Sequence, residues 1–275
     1  MREAVRWFRN KLAELRSQGP WLKNLGLPGF LLYRYRLRQL AQNPGLDQLL
    51  SLSSKYLKHP VYFRPKSTDR YVFREIFIWR EYECLDWLKS ASLVIDCGAN
   101  VGYSSAYFLS RFPTCMVVAL EPDSGNFEVL QQNVAPYGDR CQTIKAAVWP
   151  EHTVLAFDPT PYRGGGENAR VVRVSLGNEN QQIQAMTIPE ILRTSGFDRV
   201  SLLKIDIEKS ELELFGSGPC DWLQLVDCIV IELHDEQCEA VFYKAAEAYN
   251  FSCSRHGALT VAVNREKLDP KLPVS

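Results

Sequence analysis

No run in the 275-residue chain reaches the roughly 18 apolar residues that a membrane-crossing helix requires. No glycine turn ends in Gly-Lys-Ser/Thr, which excludes a phosphate-binding P-loop. There is no Cys-x-x-Cys pair. The eight cysteines, at 84, 97, 115, 141, 220, 228, 238 and 253, fit neither a zinc site nor a short disulfide framework. Most lie in apolar, strand-like runs where a reduced thiol acts as a small hydrophobe, so a reducing, cytoplasmic compartment is expected. Net charge is also missing: 32 basic side chains balance 32 acidic ones, and no nucleic-acid partner is expected. The N-terminus carries charges throughout and lacks the apolar stretch of a signal peptide.

The charge that is present is unevenly placed. Residues 1–42 hold nine Lys/Arg against Glu3 and Glu14, leaving the remainder net acidic by seven. Val5, Phe8, Leu12 and Leu15 recur at spacings of three and four, which predicts an amphipathic helix over 2–18 that Gly19-Pro20 stops. A second basic and apolar stretch, GFLLYRYRLRQLAQ, covers 29–42. This region reads either as a peripheral anchor on anionic lipid, with Trp7, Phe8 and Trp21 at the interface, or as a helical extension with solvated arginines. The expected division is a basic helical extension over 1–60 and a main domain over 61–275.

From about residue 92 short β-rich runs alternate with helical ones. SLVID (92–96), MVVAL (116–120), QTIKAAV (142–148), RVVRVSL (170–176), SLLKIDI (201–207) and LVDCIVIEL (225–233) read as strands, with closing strands near 251–254 and 259–263. Helices are expected up to about Arg111, over 124–134, 189–195 and 237–249. RGGGEN (163–168) is either a flap or a plain turn. This alternation predicts an α/β fold with a parallel, doubly wound sheet, whose ligands bind at the carboxyl ends of the strands. The acids Asp96, Glu121, Asp206 and Glu232 each end an apolar strand there.

The turn DCGANVG after the first of these strands carries the most chemistry. A dinucleotide fold wants Gly-x-Gly-x-x-Gly, and here Asn100 and Tyr103 replace two of the glycines. Asp96 would oppose a pyrophosphate but suits a ligand with an ammonium group, as S-adenosylmethionine has. Gly98 and Gly102 permit close backbone approach, and Asn100 tolerates left-handed geometry. Glu121, 25 residues after Asp96 and followed by Pro122, matches an acid that takes ribose hydroxyls.

In order and spacing, VIDCGANVGYSSAYFL, VVALEPDSGNFEVLQQNV, IKAAV, LLKIDIEKSELELF and IVIEL resemble the FkbM-type family of S-adenosylmethionine-dependent methyltransferases over roughly residues 60–263. The resemblance implies a Rossmann-like class I methyltransferase sheet of seven strands, the last antiparallel, behind a helical N-terminal extension. It implies O-methylation of a sugar, glycan precursor or natural product. It places Asp96, Gly98, Ala99, Asn100 and Gly102 at the methionine end, Glu121 and Pro122 at the ribose, and Ala146, Ala147 and Val148 beside adenine. Lys204, Asp206, Glu208 and Glu211 fall in its fourth-strand motif. The family usually has Gly where this chain has Lys209, which costs about 1 kcal/mol if the backbone there takes a positive φ.

A sugar hydroxyl is a weak nucleophile, so a general base helps. Asp206, Glu208 and His234 are the candidates, and His234 has a suitable intrinsic pKa. Alternatively Asp206 and Glu232 hold Mg2+ and lower the acceptor's pKa by coordination. The rival reading is a methyltransferase-like cofactor-binding or assembly protein without turnover, kept open by Lys209 and by the unassigned base.

Overall fold

The first helix, α1 (Arg2–Gln42), runs through Gly19-Pro20 instead of ending there, and breaks at Gly26 (φ 69°, ψ 168°). The two prolines differ in position. Pro28 falls in the first turn after the break, where a missing N–H loses no bond, and Gly26 reaches its positive φ without a Cβ clash. Pro20 lies within the helix and forgoes one i to i−4 hydrogen bond. The structure, a computed structural model, describes residues 2–159, 170–177, 179 and 181–267, with backbone alone for 2–18 and 267. The RGGGEN turn lies outside the described residues.

Two compact units make up the chain, Met1–Glu81 and Tyr82–Ser275. The first adds to α1 an antiparallel pair that hydrophobic patterning had not suggested, β1 (Leu50–Leu52) and β2 (Val61–Phe63), joined in register Leu50 to Phe63. It ends in α2 (Asp69–Phe77), which buries Phe73, Ile76 and Phe77. Gly29 lets α1 approach closely, since a Cβ there would sit 2.7 Å from the Ser53 carbonyl oxygen. Arg64 clasps the buried Asp69 carboxylate through Nε (3.0 Å) and Nη2 (2.8 Å), so that charge is both paired and hydrogen-bonded.

In the second unit the strands and helices follow in the order β3 (Leu93–Cys97), α3 (Tyr103–Arg111), β4 (Met116–Leu120), α4 (Ser124–Val134), β5 (Cys141–Ile144), β6 (Ala147–Val148), β7 (Val154–Phe157), β8 (Val172–Val174), β9 (Ile183–Met186), α5 (Ile188–Ser195), β10 (Leu202–Ile205), α6 (Glu211–Gly216), β11 (Cys228–Glu232), α7 (Glu236–Ala248), β12 (Phe251–His256) and β13 (Leu259–Asn264). Seven of these strands form one sheet in the order β12-β13-β11-β10-β3-β4-β5. Strands β5, β4, β3, β10 and β11 are mutually parallel, and β13 runs antiparallel to both β11 and β12. This is the expected seven-stranded Rossmann-like sheet with its last strand antiparallel. Every residue of β3 and β10 is buried, as central parallel strands covered on both faces require. Strand order reverses between β3 and β10, which puts the switch point at Gly98 and Asp206.

The expected strand over 142–148 is divided. After Ile144 the chain leaves the main sheet, and β6 instead pairs with β9 in a small sheet ordered β6-β9-β7-β8. That sheet has its own core of Ala147, Trp149, Leu155, Val172, Ile183 and Ala185. All eight cysteines are free thiols. No helix among the described residues is long and apolar enough to cross a membrane.

Candidate active site

The turn after β3 is shaped by how closely it meets β10. At Gly98 (φ 75°) a Cβ would lie 1.8 Å from the Asp206 carbonyl oxygen, so no other residue fits. The Gly98 and Ala99 N–H groups both donate to the Leu120 carbonyl, at 3.1 and 2.8 Å. Asn100 takes the left-handed conformation (φ 48°) and donates its N–H to Glu121 Oε2 at 2.9 Å. Gly102 (φ 83°) caps α3, and its missing side chain makes room for Leu130, whose Cδ1 would be 2.6 Å from a Cβ.

These ends line a cleft of about 660 Å3, counting its open mouth. One wall holds Glu121, buried but facing the cleft. Its Oε1 accepts from the Asp123 N–H (2.9 Å) and from Asn126 Nδ2 (3.4 Å). Burial pushes its carboxyl up to about 7, against the pull of those donors and of the Asn100 N–H. Ala146, Ala147 and Val148 continue this wall, and Phe157, Arg170 and Val172 reach it from the small sheet. The Arg170 guanidinium stacks 3.6 Å from the Phe157 ring centre and pairs with Asp123. Phe157 and Arg170 are not among the expected site residues: nothing local shows that Phe157 pairs with Val172, which brings Arg170, two residues earlier, beside it.

Asp96 is placed differently from the expectation. It is wholly buried and does not line the cleft. Its Oδ2 accepts from the Ser104 and Ser105 hydroxyls, both at 2.6 Å, and its Oδ1 lies 3.3 Å from Lys204 Nζ. Lys204 donates in turn to the Gly98 carbonyl at 2.7 Å. Burial alone would lower the lysine's pKa, but the Asp96 and Asp206 carboxylates outweigh it and keep the ammonium charged. Asp96 therefore anchors the turn from beneath, through a buried cation. Ala99 and Gly102 likewise lie outside the lining, whereas Gly98, Asn100, Glu121, Pro122 and Ala147 belong to it.

The opposite wall is crowded with charge. Asp206, Ile207, Glu208 and Ser210 line it, with His234 and Glu232 behind. His234 Nδ1 lies 3.2 Å from Glu211 Oε1, and its Nε2 lies 3.4 Å from Glu208 and 3.6 Å from Asp206. Burial lowers the imidazole's pKa, yet the Glu211 hydrogen bond and the three carboxylates raise it to about 9 overall. The suitable intrinsic pKa expected of His234 is thus lost to its surroundings, and the ring is a cation at neutral pH. Burial, then repulsion from Asp206, pushes Glu232 up to about 7 and raises Glu208 in the same way.

Glu208 and Lys209 take left-handed backbone in succession, at φ 52° and 75°. The conformation that Gly would adopt freely is thus present at Lys209, at a cost of order 1 kcal/mol or more. Lys209 Nζ reaches Asp235 Oδ2 at 2.8 Å, while Asp235 Oδ1 caps α7 by accepting from the Gln237 and Cys238 N–H groups. The lysine bond comes first, and the cap second, in holding the Asp235 carboxyl well below the usual carboxylate range. The turn bearing Glu208 is therefore tied to the start of α7, two residues after His234.

The model of the methyltransferase FkbM domain matches residues 96–257, which runs from the buried aspartate of β3 to the turn between β12 and β13. Methyltransferase 1 of Beauveria bassiana is 23% identical over 197 residues, covering 64% of this chain and 79% of its own. The 31-O-demethyl-FK506 methyltransferase FkbM of Streptomyces tacrolimicus is 28% identical over 196 residues, covering 60% of this chain and 75% of its own. The crystal structure of a methyltransferase FkbM from Methylobacillus flagellatus aligns with a TM-score of 0.44 at 18% identity, over 64% of this chain and 44% of that one. On the domain match, over more than half its length, this chain belongs to the FkbM methyltransferase family.

Proposed function

We propose that the chain is an S-adenosylmethionine-dependent O-methyltransferase whose acceptor is a hydroxyl of a sugar, a glycan precursor or a natural product. The carrying observation is the Gly98–Asn100 turn, hydrogen-bonded to Glu121, beside a slot lined by Ala146, Ala147, Val148 and Phe157. The residues fit that cofactor: a Cβ at Gly98 would fill the switch point, and the carboxylate of Glu121, with three donors on its roughly four lone-pair sites, keeps room on Oε2 for a ribose hydroxyl. When bound, S-adenosylmethionine supplies an electrophilic methyl group on a cationic sulfur. The carboxylates of Asp206 and Glu208 suit that positive charge and the ammonium of its methionine end.

Glu208 is the general base. It lines the cleft, and its raised pKa makes it a stronger proton acceptor than an ordinary surface carboxylate. His234, held protonated by Glu211, is a positioning residue that keeps Asp206 and Glu208 in place. Asn100, Gly98 and Pro122 orient the cofactor by shape and backbone. Membership of a methyltransferase family supports the reaction class, and the relative named for 31-O-demethyl-FK506 supports an oxygen acceptor.

Calorimetric titration with S-adenosylhomocysteine tests the reading. Micromolar binding by the native chain, weakened at least tenfold in Glu121→Ala, is expected. No binding by the native chain overturns it. Binding with no methyl transfer from labelled S-adenosylmethionine to any member of a hydroxylated acceptor panel would support the cofactor-binding protein without turnover. The expectation of Mg2+ at Asp206 and Glu232 is tested in the same assay, where chelation followed by Mg2+ addition must stop and then restore turnover.

A further inference from the structure

The first unit carries an exposed surface that its own packing leaves uncovered. In α1 beyond the Gly26 break, Leu27, Leu31 and Tyr35 are spaced by four and are 60%, 57% and 58% exposed. Such spacing puts the three on one helix face. Arg34 and Arg38, seven and eleven residues after Leu27, are exposed on that same face. Ahead of the break, Leu22 is 47% exposed, with Lys23 exposed beside it.

The other face of this segment is fully used. Gly29 packs on the Ser53 carbonyl, Tyr33 stacks on Phe73, and Arg36 turns inward to the Ser51 carbonyl and hydroxyl. Trp21, an interfacial aromatic in only one of the two readings of this region, packs against Tyr33 and Trp79. The helix is therefore anchored by one side, and its apolar outward side is not a misplaced core. Burying Leu27, Leu31 and Tyr35 in their own unit would require turning out Tyr33 and Gly29.

Charge decides what fits this face. No acidic residue lies between Glu14 and Asp47, so a stretch with two exposed leucines, a tyrosine and flanking cations faces outward without a carboxylate. We propose that this face docks on the surface of a bilayer containing anionic phospholipid. Leu27, Leu31 and Tyr35 enter the boundary between headgroups and acyl chains. Arg34, Arg38 and Lys23 lie along lipid phosphates, their stems covering apolar surface and their charged ends remaining in the headgroup layer. With few side chains inserted the docking is reversible and salt-sensitive.

The test is flotation of the full chain with phosphatidylcholine vesicles, with and without phosphatidylglycerol. Expected is recovery with the anionic vesicles, lost in high salt, and about tenfold or more weaker for both Leu27→Gln/Leu31→Gln and Arg34→Gln/Arg38→Gln. Both variants change exposed side chains, so unaltered circular dichroism and melting temperature accompany the loss. Three results overturn the proposal. One is no flotation of the native chain with anionic vesicles. Another is flotation that neither variant weakens. The third is a native dimer that Leu27→Gln/Leu31→Gln converts to monomer, which would show a second copy covering the face.

Discussion

Two carboxylates of nearly equal acidity, Glu121 in one wall of the cleft and Glu232 behind the other, are held in opposite ways. Glu121 and Glu232 are both pushed up to about 7, with burial the main cause. Glu121 is met by two backbone N–H groups and an amide, donors that the β3 and β4 turns supply whatever the pH. Glu232 is met by other charges, Asp206 and Glu208 against His234 and Lys204. The first wall is a fixed mould set by backbone. The second is a balance of protons. A cofactor of constant shape suits the mould, and chemistry that moves a proton suits the balance.

The mould breaks most completely at Gly98. Gly98→Ala is expected to force β3 from β10, costing several kcal/mol and leaving little soluble folded protein, as expression and circular dichroism will report. Next is Asp96→Ala, which removes the main partner of buried Lys204. A loss of about 3–5 kcal/mol is expected in denaturant unfolding. Weak S-adenosylhomocysteine binding by that variant would follow from unfolding, so a native-like midpoint would contradict the buried role of Asp96.

The balance is probed through His234. Its folded pKa lies above the ordinary 6.5, so the imidazolium contributes stability that is complete below pH 6.5 and lost as pH rises through about 9. The contribution is on the order of 3 kcal/mol, and a nuclear magnetic resonance titration of the ring should show a midpoint well above 7. His234→Gln should flatten the alkaline fall.

Glu121 sharpens the comparison. Ribose hydroxyls favour its ionised form, so affinity for S-adenosylhomocysteine should rise with pH through about 7. Glu121→Gln should weaken binding by about 2 kcal/mol and remove that dependence, read by calorimetry across pH. The smallest effect is expected of Lys209→Gly. Relief of its left-handed strain and loss of a half-exposed ion pair offset each other to within about 1 kcal/mol in melting experiments. Its effect should fall on turnover, through looser placement of Glu208.

What could be read in advance tracks how local each feature is. The β3 turn, Glu121 and the strand-end acids are set by neighbours a few residues away, and alternating apolar and helical patterns expose them. The burial of Asp96 depends on Lys204, 108 positions later in sequence numbering, and no pattern near VIDCG announces it. The small sheet escaped because β6 has only two residues and β7 and β9 four each, too short for periodicity to speak. At Pro20 a local rule, that proline stops a helix, yielded to the context of a helix that continues to Gly26. The intrinsic pKa of His234 misled for the same reason: Glu211 and Glu208 come from a different strand end.

The contact between Gly98 and the Asp206 carbonyl also sets a schedule. β3 and β10 are neighbours in the sheet, yet Lys204 bonds to a carbonyl 107 positions earlier in the chain. At typical rates of synthesis that interval lasts roughly 5–20 s. Through it the half-made chain carries the mould's glycine turn and Glu121 without the strand end that bears Asp206 and Glu208. The acidic wall of the cleft is therefore added late, when β10 pairs with β3. A nascent chain or a fragment ending before residue 206 holds the mould without the balance, since the wall of Asp206 and Glu208 is still missing.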